Sequence, residues 1–119
     1  MHDIKTLKEK NVCIIRLGGF MKEDEIYEAI EKIKTSIDEL KPGMVVVNDI
    51  SEFSPVKQAH MSHMSDLIKY VGQHSPSKVI RVTGEAAITK MQITAATKKA
   101  TPPYEAVDVS SFEEAMKLI

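Results

Sequence analysis

VVVNDISEFSPVKQAHMSHM, residues 45–64, is the stretch on which the reading of the whole chain turns. Residues 44–47 form a continuous apolar run of strand length just after Pro42 and Gly43, as suits a strand covered on both faces. Residues 48–53 then become polar and read as a short loop. Ser54 followed by Pro55 reads as a helix start: a serine hydroxyl can accept from a free first-turn amide, and proline at the first helical position has no amide to leave unpaired. That helix should run to about Gly72. A buried strand passing through a loop into a helix is part of a β-α-β unit, so the flanks should supply further strands and helices.

Upstream, residues 3–9 and 12–17 read as a hairpin turning at Lys10 and Asn11. Its first strand is polar enough for a sheet edge. The second, with Val12, Cys13, Ile14, Ile15 and Leu17, is apolar on both faces, and Gly18 and Gly19 should break it. In residues 23–40, Ile26, Ile30, Ile33, Ile37 and Leu40 recur at spacings of four and three, the mark of one helical face. Glu23, Asp24 and Glu25 favour its first turn through the helix dipole.

Downstream, KVIRVT (78–83) is a third internal strand, and Gly84 permits the bend that follows. Residues 86–99 are helical by composition. Ile88, Met91 and Ala95 share one face, and Ile93, Ala96 and Ala100 the other, where a homodimer contact is conceivable. Pro102 and Pro103 stop that helix, YEAVDV (104–109) alternates like a last strand, and Ser111 with Glu114 forms a capping box opening FEEAMKLI. The order ββαβαβαβα predicts an α/β fold in one domain over 1–119. Its sheet is mostly parallel, of four to five strands with one antiparallel edge strand, and carries about four helices.

The 119 residues carry 16 basic and 17 acidic side chains, a formal net charge of -1, so no global field recommends nucleic acid as a partner. No run approaches the ~18 apolar residues of a membrane span, and the N-terminus has no apolar signal core. The single Cys13 permits no internal disulfide and reads as a buried thiol, which suits a cytoplasmic protein.

In parallel sheets ligands and partners meet the carboxyl ends of the strands. The polar groups expected there are Asn48, Asp49, Ser51, Glu52 and Thr83, with Gly84 letting a ligand approach the backbone, and Ser54 and Lys57 at the helix entry. The plainer account is that Asp49, Ser51 and Ser54 satisfy loop and cap amides. His60 and His63, at i and i+3, share one side of a helix and can both reach one ion, but two ligands do not make a site. At ~100° per residue His60 falls among Met64, Leu67, Ile68 and Val71, so packing is its simpler role, and no metal or cofactor is expected. GGF lacks dinucleotide spacing, and no P-loop or nucleophile-elbow motif occurs.

The element order, VVVNDISEF entering a helix and the ending VDVSSFEEAMKLI together resemble the STAS domain of bacterial anti-sigma factor antagonists, most closely the SpoIIAA-like branch. The resemblance covers nearly the whole chain and implies a STAS/SpoIIAA-like fold with a regulatory, protein-binding role. Asp49 looks like that family's strand-end aspartate. The family's phosphorylatable serine and following glycine would fall near Lys57, Gln58, Ala59 and His60, where neither is present, so the usual phosphoserine switch is not expected.

The leading expectation is therefore a non-catalytic module that binds a protein partner through residues 49–56 and the exposed side of the second helix. The alternative is a small-ligand domain, for a lipid or nucleotide, with a pocket between the helices at 54–72 and 86–99 walled by adaptable methionines. An enzyme using Asp49, His60 and His63 is the least supported reading, since no nucleophile or cofactor motif accompanies them.

Overall fold

Asn11 adopts φ 58, a left-handed conformation that asparagine tolerates, and so closes the hairpin between β1 (His2–Leu7) and β2 (Val12–Gly19). Its side chain accepts from the Lys41 amide at 2.9 Å and donates to the Lys41 carbonyl at 3.1 Å, fastening the hairpin to the chain after the first helix. The computed structural model describes residues 1–54, 57–83, 87–100 and 104–119, without the side chains at 58, 87–90, 93 and 100. The expected helix start at Pro55, the bend at Gly84 and the stop at Pro102 and Pro103 lie outside the described residues.

The remaining elements are α1 (Glu23–Asp38), β3 (Val45–Phe53), a single 3₁₀ turn (Gln58–His60), α2 (Met61–Gln73), β4 (Lys78–Val82), α3 (Ala87–Ala100), β5 (Ala106–Val109) and α4 (Phe112–Met116). The five strands lie in the order β1-β2-β3-β4-β5, with β1 and β2 antiparallel and every other pair parallel. The expected mostly parallel sheet with one antiparallel edge is thus observed. Spatial order follows chain order, so the three crossovers all step the same way and, with the usual right hand, bring α1, α2 and α3 to one face.

The packing follows that division. Cys13, Ile15, Val46 and Val79 meet Ile33 and Ile37 of α1 and Val71 of α2 on one face. Val12, Ile14, Val47, Ile80 and Val82 meet Ala115 of α4 on the other. No helix among the described residues is long and apolar enough to cross a membrane.

Three expectations need correction, two of them in the deciding stretch. First, β3 does not end at Val47 but runs on to Phe53, and β2 runs through Gly18 and Gly19 instead of breaking there. The two strands stay paired across a bulge in which Ile50 and Ser51 of β3 face the single Leu17 of β2. An extra residue shifts the alternation by one, so Ile50 and Phe53 reach the same cluster with Ile26 and Ala29 of α1. The polar residues read as a loop are strand residues before and across this bulge.

Second, Ser54 continues the strand pairing, and among the described residues the second helix starts later than read. The Ser54 amide donates to the Gly19 carbonyl at 3.0 Å, prolonging the β2–β3 ladder, and α2 begins only at Met61, after the 3₁₀ turn, with no side-chain cap bond from His60. Third, α3 is turned the other way from the face suggested for a dimer contact: Ala96 is buried at 2% while Met91 is 71% exposed. The Ser111 cap at the start of α4 is as read, its hydroxyl accepting from the Glu114 amide at 3.2 Å.

Candidate functional site

Between the sheet and the helices that cover its α1–α3 face lies an apolar crevice of about 100 Å³. Its floor is Ile15, Val46 and Val79 from three adjacent strands; Ile26, Ala29, Ile30 and Ile33 of α1 form one wall, and His60, Met64, Leu67, Ile68 and Val71 form the other. Each wall is one stripe of an amphipathic helix. The stripes meet the core along their length but leave a gap where no side chain fills the space. Among the described residues α3 adds Thr97 to this lining.

Few polar groups enter this space. Asn48 stands one strand step pair beyond Val46, and Arg81 likewise beyond Val79, so strand alternation carries both onto the floor. The register pairs them directly across β3 and β4. Among the described residues, Asn48 Oδ1 is the buried side-chain oxygen or nitrogen with no hydrogen-bond partner. Arg81 is engaged: Nε donates to Asp108 Oδ1 at 2.7 Å and a terminal nitrogen to Thr97 Oγ1 at 3.3 Å. Tyr104 completes this end, its hydroxyl pushed above the ordinary tyrosine value by burial and partly drawn back by the Arg81 charge.

The residues expected to converge on the strand ends divide. Asp49 is buried on the opposite face, where Oδ2 accepts from Arg16 Nε at 3.2 Å and Oδ1 accepts from the Ser51 amide at 3.1 Å and the Ser51 hydroxyl at 2.6 Å. Arg16 also lies 4.3 Å over the Phe112 ring of α4. With Glu52, Asp3 and Met1, these groups line a polar depression of about 290 Å³. Ser54 and Lys57 do not line it; Ser54 holds the ladder and Lys57 is exposed. Thr83 is buried at the end of β4, its amide donating to the Val109 carbonyl at 3.1 Å, and Gly84 lies outside the described residues.

His60 lines the crevice among the apolar residues of α2, as its helical position foretold. Arg81, Thr97 and Tyr104 were missed by sequence reasoning. The signal was present for Arg81: in KVIRV, as in VVVN, the polar residue falls two after a core valine and so on the same face. No family model matches the chain, and neither the curated proteins nor the solved structures compared with it show a significant similarity.

Proposed function

We propose that the protein is a non-catalytic binding module whose occupant is a small, mostly apolar molecule bearing one hydrogen-bond donor, seated between the sheet and α1 and α2. The observation that carries this reading is Asn48 Oδ1, a buried acceptor without a partner on the floor of an otherwise apolar crevice. An unpaired buried acceptor costs about 1–3 kcal/mol, and a donor on the ligand would offset that cost while its hydrocarbon part fills the gap. The size suits a short chain of a few carbons, since about 100 Å³ falls below the ~150 Å³ cavity that takes benzene.

A series of straight-chain alcohols titrated into the purified chain tests it. Affinity should rise about fourfold with each methylene, following ~0.8 kcal/mol per group, until the crevice is full. Leu67→Trp, which fills the space, should abolish binding. Weak binding that ignores chain length, or survives Leu67→Trp, would overturn the proposal.

The resemblance to STAS modules supports a second reading, a protein partner, and one observation favours a place for it. Phe20 is 58% exposed just after β2, where Gly18 and Gly19 pair with the exposed Glu52 and with Phe53. Under this reading Phe20→Ser and Glu52→Lys should each reduce partner capture; capture indifferent to both would remove it.

A further inference from the structure

Glu23 is the first residue of α1, and His60 and His63 flank the first turn of α2. Packing of the two helices brings a donor atom from each of the three side chains within 4.8 Å of the other two. The histidine rings lie nearly parallel, 24° apart with centroids at 5.9 Å. Tyr27, one turn along α1 from Glu23, sets its ring edge-on to His63 at 4.8 Å and bonds His63 Nε2 through its hydroxyl at 3.1 Å. We propose that Glu23, His60 and His63 bind one divalent cation of the zinc class where α1 and α2 begin.

The donor set is that of such an ion. Two imidazoles and one carboxylate, with no thiolate, suit zinc, cobalt or nickel, whereas magnesium and calcium prefer oxygen ligands throughout. Three protein ligands leave a fourth position for water or another oxygen. Donors around a tetrahedral ion at ~2.1 Å stand roughly 3.4 Å apart, so the three groups close on the cation by about an ångström of side-chain rotation. Glu23 is exposed and both histidines are half-buried, so the exposed carboxylate has room to make most of that movement.

Tyr27 supplies the support that ligating histidines need. When His63 Nε2–H donates to the Tyr27 oxygen, the lone pair of Nδ1 is left for the cation, and the ring orientation is fixed. Tyr27 is thus a positioning residue. His60 belongs both to this cluster and to the crevice wall, but the cation inference does not depend on the crevice being filled.

The test uses the full chain, free of any histidine tag and treated with chelator, without apolar ligand. Calorimetric titration with zinc chloride should show one equivalent bound, with magnesium chloride giving no saturable heat. Cobalt should give the visible absorption of a four-coordinate nitrogen and oxygen site. Glu23→Gln, His60→Gln and His63→Gln should each weaken zinc at least tenfold, Tyr27→Phe about tenfold, and His74→Gln not at all. Circular dichroism separates lost ligands from lost folding. No saturable zinc binding, or binding that survives the three ligand substitutions in folded protein, would overturn the inference. The alcohol titration remains an independent test of the crevice.

Discussion

On the α4 face of the sheet, Val47, Ile80 and Val82 are almost wholly enclosed, and the one buried acid nearby, Asp49, accepts from Arg16 and twice from Ser51. On the α1–α3 face, Val46 and Val79 give way along their strands to Asn48 and Arg81, and a gap of about 100 Å³ opens above them. One five-residue helix thus covers an enclosed apolar centre whose strand end still opens into a polar depression, while three longer helices leave an apolar gap over theirs. Folding alone explains the enclosed apolar part of the first face. The second contains an unpaired acceptor and unfilled space, both of which cost stability, and the proposed occupant would offset the two together.

Core truncations give the largest expected contrast. Ile80→Ala removes a side chain with 0% exposure and should cost about 3–4 kcal/mol in urea unfolding, because nothing can move in to fill the hole. Leu67→Ala, on a half-buried position already facing the gap, should cost about 1–2 kcal/mol. Equal costs would mean that the helices collapse onto the sheet and that the difference between the faces is not real.

The polar groups at the two strand ends give the next contrast. Asp49→Ala should lose about 2 kcal/mol, since the Ser51 amide and hydroxyl lose their acceptor. Arg16 is 48% exposed, so it rehydrates rather than being stranded when Asp49 is removed. Arg16→Ala, by contrast, leaves the buried Asp49 carboxylate to its Ser51 donors alone and should cost about 1–3 kcal/mol. Asn48→Leu should do the opposite, stabilising the protein by about 1 kcal/mol because the unpaired acceptor is replaced by a group the crevice accommodates. The same change should weaken the binding of alcohols. Destabilisation by Asn48→Leu would show that the Asn48 carbonyl already has a water or protein partner, and the contrast between the faces would narrow.

The element order, the antiparallel edge and the α1 stripe were legible because periodicity reports which face of an element is buried. Ile26, Ile33 and Ile37 are buried, as their spacing indicated. The course of residues 48–54 was not legible, because a bulge is a property of two strands and not of either alone. Asn48, Asp49, Ser51 and Glu52 look like loop residues by composition, yet each extends a strand whose ladder to β2 outlasts its apolar run. The Ser54 amide belongs to the ladder with Gly19, and the helix start read at Pro55 lies outside the described residues. The crevice was half legible: the His60 stripe marked one wall, whereas Arg81 and Tyr104 join it only through the pairing of β3, β4 and β5. The approach of Glu23 to His60 and His63 rests on how α1 and α2 pack, which spacing along one helix cannot report.

The smallest effect, absent near neutrality, separates the faces by titration. Cys13 and Tyr104 both belong to the α1–α3 side. Burial raises the Cys13 thiol above its ordinary 9.0, against a hydrogen bond from Ser36, and raises the Tyr104 hydroxyl above its ordinary 10.0, against the charge of Arg81. In each case the fold favours the neutral form. Their contribution to stability is therefore complete below the unfolded values and is lost as pH rises through them toward the folded ones. Unfolding free energy should be flat approaching pH 9 with respect to these groups and then fall. Tyr104→Phe should make the fall above pH 10 shallower, leaving the part due to Tyr27 and Tyr70, whose hydroxyls are also raised. An alkaline slope unchanged by Tyr104→Phe would mean that Tyr104 is hydrated through the crevice, and that the crevice opens more widely to water at that end than an apolar binding site should.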